Sequence, residues 1–394
     1  MQSQFDPASG TRDFLAAEFE QREHAFGIIR AVFRRYGFEP LQTPAFERLD
    51  VLLGKYGDEG DKLVFKILRR GEHEASGEAD LALRYDMTVP LARVAAAYGN
   101  QLPWPYKRYA MGPVWRADRP GKGRFREFVQ CDLDILGSTS PLADAETLCA
   151  QHDAVAALGI TDFSVQLNSR RVLTGLLEAF TIPPELGTGV LTSLDKLDKL
   201  PAAAVIAELA DRGLPDVTAS ELVELMTAPD GADRIRTALK PSEAGQAGLD
   251  EVDAVLDLAT AQLPPGRVAF MPSLVRGLSY YTGPVWEIRA PGAAGSLGGG
   301  GRYDHLIEAL GGPDVPATGA SLGVERILSL LPPGPAGQHD RLDAAVTIMG
   351  GDLARESFAM AAAARRAGLR ASVYLGSSAK ISKQLRWASD QGAR

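Results

Sequence analysis

The feature that most limits the fold is an interruption. Strand-like sequence fills much of the first 170 residues, gives way to a long helical block, and then returns. From Arg170 to about Leu263 the chain is rich in Leu, Ala and Glu, punctuated by Pro183-Pro184, Pro201 and Pro215, and closed by Pro264-Pro265-Gly266. Strand patterns resume at Val268-Ala269-Phe270, at Val285-Trp286-Glu287-Ile288 and after Gly298. The pattern predicts a helical block inserted into a mostly β domain.

Before the block, Glu18 to Arg35 places Ala25, Ile28, Ile29, Val32 and Phe33 at helical spacing, and Gly37 ends that helix. Phe38 to Leu41 reads as extended, Leu81 to Tyr85 alternates, and Met87 to Tyr98 reads as a helix with Pro90 in its first turns. Tyr106 to Trp115 and Glu127 to Leu136 read as two strands joined by the loop Ala117 to Arg124. A hairpin loop this rich in Gly, Pro and Arg is a place for function. Leu331 to Gly337 is a Pro/Gly linker, followed by a strand (Ala344 to Met349), a helix (Arg355 to Ala367), a strand (Arg370 to Leu375) and a helix (Ala379 to Asp390). That alternation begins a parallel α/β domain whose next strand is expected beyond Arg394. The expected divisions are 1–169, 170–265, 266–331, a linker at 332–341, and 342–394.

Composition removes several classes. A length of 394 residues suits two or three domains, and 45% apolar with 23% charged residues excludes wholesale disorder. Cys131 and Cys149 are the only cysteines, which excludes a disulfide scaffold and suits a reducing compartment. No apolar run is long enough to cross a bilayer and MQSQFDPASG has no secretory pattern, so a cytoplasmic location and no membrane partner are expected. The net charge of −8 argues against indiscriminate nucleic-acid binding but leaves room for a local basic patch. His24, His73, His152, His305 and His339 show no ligand spacing and no CxxC occurs, so no metal site is expected. No GxSxG elbow supports serine hydrolysis.

The chemistry-bearing pattern is a set of arginines beside glycines. Arg116 ends a strand, Arg124 and Arg126 follow in the loop, Arg276 precedes Gly277, and Arg326 begins a helix after Gly319 to Gly323. Guanidinium forks suit phosphate oxygens, and three on separate segments can clamp a triphosphate; taken singly, each is as well read as a surface-paired side chain. Gly298 to Gly301 allows close approach of a ligand, or marks a bend in a strand. Gln130, Asp132 and Asp134 share one face of a strand, which is either solvated or suited to an amino-bearing ligand.

With these residues in place, the chain resembles the histidyl-tRNA synthetases, class II aminoacyl-tRNA synthetases. Arg84-Tyr85-Asp86-Met87-Thr88-Val89-Pro90 matches the family's RYDxTVP segment. Thr43 to Glu47 looks like motif 1, Trp115 to Gly137 like motif 2, and Gly319 to Arg326 like motif 3. Leu274 to Tyr281 and Leu297 to Asp304 resemble the two histidine-specific segments, and Ser193 to Leu200 a segment of the insertion.

The resemblance implies an α+β fold: an antiparallel sheet flanked by helices, with a helical insertion and a partial C-terminal anticodon-binding α/β domain. It implies a ligase that activates L-histidine with ATP, with Mg2+ on the phosphates, and transfers histidyl to tRNA(His), working as a homodimer through motif 1. Arg116 and Arg276 would contact the α-phosphate and the histidine carboxylate as the catalytic pair. Arg126, Phe128 and Arg326 would serve ATP, with Phe128 on adenine and Arg326 on the triphosphate tail. Asp86, Thr88 and Gln130 would bind the α-amino group, and Asp134, Tyr280 and Tyr281 would complete the histidine pocket. Arg119, Lys122 and Arg124 would approach the tRNA acceptor end. The chain departs from the family at Ser279, where an aspartate is usual, and in its short C-terminal domain. Those departures keep open a second reading, a catalytically silent histidine sensor such as the regulatory subunit of ATP phosphoribosyltransferase. A stand-alone tRNA-binding protein is a third reading, one that would not need Asp86, Asp134 and Tyr281.

Overall fold

The computed structural model describes residues 5–55, 60–71, 76–121, 123–276, 280–332 and 342–393. They fall into two units, Met1–Asp13 with His24–Pro332, and Phe14–Glu23 with Pro333–Arg394.

The first unit is built on strands β1 (Glu39–Pro40), β2 (Phe46–Arg48), β3 (Lys66–Leu68), β4 (Ala79–Leu83), β5 (Tyr106–Trp115), β6 (Glu127–Leu136), β7 (Ser164–Ser169), β8 (Val268–Phe270), β9 (Pro284–Arg289), β10 (Gly298–Arg302) and β11 (Ala317–Gly323). Eight of them form one sheet in the order β1-β5-β6-β11-β10-β9-β7-β8. All pairs in it are antiparallel except the edge pairs β1–β5 and β7–β8. The α+β expectation therefore holds. Strands from both sides of the helical block meet at β7–β8 and β7–β9, and Pro184–Leu194, Ala202–Asp211, Asp216–Thr227, Gly231–Ala238 and Glu243–Thr260 are its helices from Pro184 onward. A separate three-stranded sheet, β2-β4-β3, carries the segment Thr43 to Glu47 into β2.

The hairpin β5–β6 occupies the two predicted spans and pairs Trp115 with Glu127 through to Tyr106 with Leu136. One face of the sheet is closed by helix Pro141–Ala157 and by the inner face of the helix ending at Arg35, with Ile29, Val32, Phe33, Leu148, Ala150 and Val155 all buried. Gln151 ties that helix to the sheet: its Nε2 donates to the Ser321 carbonyl (2.8 Å) and its Oε1 accepts from Trp286 Nε1 (2.8 Å). A fully buried amide with both ends satisfied fixes position at little net cost.

The opposite face is a trough, and the register explains it. Down β6, Gln130, Asp132 and Asp134 have Gly112, Ala110 and Arg108 beside them on β5, and Gly323, Ser321 and Gly319 on β11. Except for Arg108, which pairs with Asp134, these neighbours are small and leave room above the polar side chains. Gly298–Arg302 is a regular strand with no bend. Its glycines are required by crowding: a Cβ on Gly299 would lie 3.1 Å from Arg276 Nη1, and one on Gly301 3.0 Å from the Tyr281 ring.

The second unit pairs β12 (Ala344–Val346) in parallel with β13 (Ala371–Val373), with helices Ala354–Arg366 and Ile381–Asp390. Both strands are shorter than the apolar runs that predicted them. Gln384 is buried and bonds both the N–H and the C=O of Ile348 (2.7 and 2.8 Å). Phe358, Met360, Leu375 and Leu385 remain exposed there.

Candidate functional site

The trough deepens into a cavity of about 230 Å3. Its lining includes Tyr85, Asp86, Thr88, Arg116, Gln130, Asp132, Asp134, Tyr280, Tyr281 and Tyr303, with Gly299, Gly319 and Ser321 on its floor. Six separate segments thus converge, and the shared face of Gln130, Asp132 and Asp134 is buried rather than solvated.

The anionic end is organised by Arg108, a side chain with no solvent exposure. It forms an ion pair with Asp134 (2.8 Å) and donates to the Met87 carbonyl (3.1 Å). The Tyr303 hydroxyl donates to the other Asp134 oxygen. Burial pushes the Asp134 carboxyl up and Arg108 pulls it down. Asp134 is held so closely that a Cβ on Gly319 would sit 2.0 Å from its Oδ1. Asp86 accepts from the Val89 N–H (3.1 Å) and so caps helix Thr88–Tyr98. Gln130 donates to the Ser321 hydroxyl (2.9 Å). The Tyr280 and Tyr281 rings pack at 4.8 Å, and burial raises both hydroxyl pKa values.

The cationic end is a rim of arginines. Arg116 donates to the Tyr85 carbonyl (3.1 Å), and its guanidinium lies 4.2 Å from the Tyr85 ring centre and 5.3 Å from that of Phe128. A guanidinium stacked on two rings keeps its charge with few bonds spent, free for an anion. Arg276 pairs with Glu287 (2.7 Å) and donates to Ser296 Oγ (2.8 Å); Arg326 donates to the Ser296 carbonyl (3.0 Å). Burial first, then the neighbouring cations Arg276, Arg124 and Arg116, lower the Arg326 pKa. The charges of Arg276, Arg124 and Arg116 all reach Arg326, so these guanidinium groups share one region of field.

Not every candidate faces the cavity. Arg126 donates to the Asp118 and Ser9 carbonyls (3.1 and 3.3 Å), which ties the Gly10 turn to the hairpin loop. Phe128 packs with Met87, Ala110 and Val114 beneath Arg116. Arg119 and Arg124 are exposed on the loop, and Arg124 pairs with Asp118 (2.8 Å). Lys122 and Ser279 lie outside the described residues. Arg302, within the glycine-rich segment, is a structural cation paired with buried Asp144 (2.6 Å).

Sequence reasoning missed Arg108, Tyr303, Ser321 and Glu287. Arg108 was within reach: closing the hairpin at Trp115 and Glu127 and counting back sets it opposite Asp134. Tyr303 carried no such signal, since its pairing is tertiary. The histidine spacing likewise did not foretell that His305, Glu308 and Asp314 approach one another, as an exposed group whose ligand atoms lie within 4.8 Å.

Comparison with known proteins accounts for the arrangement. The family model described as histidyl-tRNA synthetase matches residues 10–327. A histidine–tRNA ligase of Gloeobacter violaceus is 44% identical over 346 residues, 82% of this chain and 74% of that protein. The crystal structure of histidyl-tRNA synthetase from Nostoc sp. PCC 7120 superposes with a TM-score of 0.79 at 30% identity, covering 100% of this chain and 91% of that one. A Bacillus halodurans structure described as an ATP phosphoribosyltransferase regulatory subunit/histidyl-tRNA synthetase gives 0.78 at 20% identity, covering 98% and 97%, a likeness of fold alone. With the family model spanning most of the chain and the acidic trough and arginine rim both in its motifs, the chain belongs to the histidyl-tRNA synthetase family.

Proposed function

We propose that the chain is a working histidine–tRNA ligase. It joins L-histidine to ATP as histidyl-adenylate and passes the histidyl group to the 3′ end of tRNA(His). The observation that carries this is a cavity lined by Asp86, Asp132, Asp134 and Arg116, with Arg276 against its floor residue Gly299 and Arg326 within the field of both arginines. The regulatory reading shares the fold but gives no reason for an arginine rim kept at full strength.

The residue types suit the chemistry. A free α-carboxylate is ionised at neutral pH, so attack on the α-phosphorus needs no general base. The reaction needs the two substrates aligned and positive charge over the phosphoryl oxygens. Arg276 and Arg116 supply that charge and hold the histidine carboxylate, while Arg326 steadies the triphosphate tail. Phe128 stacks under adenine, and Arg126 braces the loop that covers ATP. Asp86, Thr88 and Gln130 take the α-amino group. Asp134, fixed by Arg108 and Tyr303, accepts from the imidazole, with Tyr280 and Tyr281 walling the ring. A pocket with polar partners for the ring nitrogens rejects an analogue that leaves them unpaired.

The carboxylates beside the arginines are already engaged: Glu325 by the Val129 N–H and Arg12, and Glu287 by Arg276 and Arg289. They do not form an open oxygen cage, so Mg2+ arrives on the phosphates of ATP and no step is routed through it. Arg119, Lys122 and Arg124 meet the acceptor-stem phosphates. The divisions 170–265 and 342–394 act as the insertion and anticodon modules. Dimerisation runs through Thr43 to Glu47, supported by a Phe46 ring 52% exposed. A cytoplasmic location suits a chain in which, among the described residues, no helix can cross a membrane.

The test is histidine-dependent exchange of pyrophosphate into ATP. Exchange is expected with the full chain and is lost in Arg276→Ala, which should stay folded on the remaining Glu287–Arg289 pair with a melting temperature lower by only a few degrees. Histidine binding without exchange would hand the function to the regulatory reading.

A further inference from the structure

Asp132 lies at the centre of the cavity and has no part in the roles above. It sits between Gln130 and Asp134 on β6, lines the cavity, and is 2% exposed. Its two acidic neighbours are engaged: Asp134 by Arg108 and Tyr303, Asp86 by the Val89 N–H. Asp132 has the Ser321 hydroxyl on one side, and its Oδ1 has no hydrogen-bond partner. The charged groups whose fields reach it are Arg108 from β5, Asp134 from β6, Asp86 ahead of helix Thr88–Tyr98, Arg84 just past β4, and the Tyr281 hydroxyl. Neither cation is available to it. Arg108 is in contact with Asp134, and Arg84 donates to the Pro113 and Thr43 carbonyls (both 2.9 Å). Burial, with Asp134 and Asp86 adding to it against Arg108 and Ser321, raises the Asp132 carboxyl to about 7. A buried carboxyl that lines a cavity and has an oxygen without a hydrogen-bond partner is completed by a cation entering that cavity.

We propose that Asp132 is the counter-ion of the α-ammonium group of histidine, and that binding the amino acid drives a proton off this residue. The inference rests on the reading that this cavity takes histidine. In the empty site Asp132 carries its proton through much of the neutral range. The incoming ammonium replaces that proton as the partner of Oδ1: the O–H bond breaks, the proton passes to solvent, and a carboxylate–ammonium pair remains. Charge balances, since one cation enters and one leaves. Gln130 on one side and Asp86 on the other then complete the ammonium's bonds. Specificity follows for an amino acid over a des-amino compound of the same shape.

The experiment is calorimetric titration of the full chain, wild type and Asp132→Asn, between pH 6 and 8.5 in buffers of different ionisation heat. The probes are L-histidine and 3-(imidazol-4-yl)propionate, which keeps the ring and the carboxylate but lacks the ammonium. The α-ammonium lowers the ring pKa of histidine relative to that of the analogue, so each profile is first corrected for its own probe's ring titration measured free in solution; the difference that remains reports Asp132. For wild type, corrected histidine affinity should fall roughly tenfold more than corrected analogue affinity from pH 8 to pH 6, with an excess buffer-dependent heat for histidine. In Asp132→Asn, histidine should bind ~10- to 100-fold more weakly at pH 8, with no excess pH dependence, and the analogue should bind as before. Equal weakening of both probes would mark a structural role and overturn the inference, as would excess pH dependence that survives in the variant. The wild-type comparison needs no variant and stands even if the substitution impairs folding; matched pH profiles for the two probes would refute the inference directly. Wild-type chain that binds no histidine at all would sink the reading of the cavity itself.

Discussion

The decisive group for Arg276 is the residue behind it. Glu287 is 2% exposed, and its two oxygens are divided between Arg276 (2.7 Å) and Arg289 (2.7 Å). Arg289 in turn pairs with Asp198 (2.9 Å), which lies in the Ser193 to Leu200 segment of the helical block. One buried carboxylate therefore aims the Arg276 guanidinium, to which we assign the catalytic role, and ties it to the helical block. Glu287→Gln keeps the shape and removes the charge. Breaking a buried pair from one side costs ~3–5 kcal/mol when the remaining charge stays buried. Here the stranded arginine side chains are 43% and 33% exposed and can turn to water, and the amide still accepts one bond. The stability loss should therefore be ~1–3 kcal/mol, a melting shift of a few degrees in a chain of this length. Activity should suffer more. Arg276 would keep only its bond to Ser296 Oγ, and a misplacement of about 1 Å costs on the order of 100-fold. Pyrophosphate exchange should fall ~10- to 100-fold in kcat, with KM for histidine and ATP changing far less, because the charge remains and only its aim is lost. Asp198→Asn, one link further out, should show a smaller loss of the same kind. Exchange within twofold of wild type in Glu287→Gln, or a loss carried wholly by KM, would refute the positioning role.

Three further outcomes follow from the same geometry. Gly319→Ala places a Cβ 2.0 Å from Asp134 Oδ1, so overpacking of ~1–3 kcal/mol should appear in the melt, with at least a tenfold loss of histidine affinity by calorimetry. For tRNA, log affinity against log salt should be steep, and Arg119→Ala should reduce the slope by about 0.7–0.9. Arg124→Ala should reduce it less, since Asp118 already takes part of its charge; a flat wild-type response would remove the loop from the interface. Asp132 also sets a pH dependence of stability. Its folded-state pKa, about 7, lies above the ordinary 3.8, so the stability that its proton confers is fully present below that ordinary value and is lost as pH rises through 7. The loss is at most about 1.4 kcal/mol per pH unit. Asp132→Asn cannot lose it, so its melting temperature relative to wild type should climb between pH 5 and pH 8; parallel profiles would contradict the burial argument.

Much of this arrangement was legible because local patterns and the fold agree. The spans Tyr106–Trp115 and Glu127–Leu136 are clean alternations bounded by a polar loop, and period two alone put Gln130, Asp132 and Asp134 on one face. Whether that face was wet or buried could not be read, because it depends on β11 arriving from 180 residues away with Gly319 and Ser321 in register. Gly298 to Gly301 was ambiguous for the same reason. Carbonyl oxygens of the flanking strands, Ser321, Trp286, Gly319 and Pro284, lie 2.5–2.9 Å from where Cβ atoms on these four glycines would sit, and crowding is invisible in one dimension. Arg126 shows the converse failure: it stands in the right motif, yet its guanidinium is spent on the Asp118 and Ser9 carbonyls. In the C-terminal unit the strands shrink to Ala344–Val346 and Ala371–Val373, because an apolar run continues as a strand only where a partner strand takes up its bonds.

The sheet explains why two charge types can coexist in one small cavity. β6 carries the acids in its middle, while each rim arginine enters from a different element: Arg116 past the end of β5, Arg276 after β8, and Arg326 in the first turn of helix Val324–Leu330. Each sign is held by its own scaffold: Arg108 and Tyr303 hold the acids, Glu287 and Ser296 the arginines. A zwitterion entering that field has one favourable orientation, ammonium toward the acids and carboxylate toward the arginines. On the proposed function, that orientation would bring the carboxylate to the arginine end where the ATP phosphates would lie, so alignment would come from the fixed field and not from a moving part. The demand on the fold is that neither scaffold may neutralise the other. Arg108 meets it by being buried on Asp134, and Glu287 by dividing its two oxygens between Arg276 and Arg289.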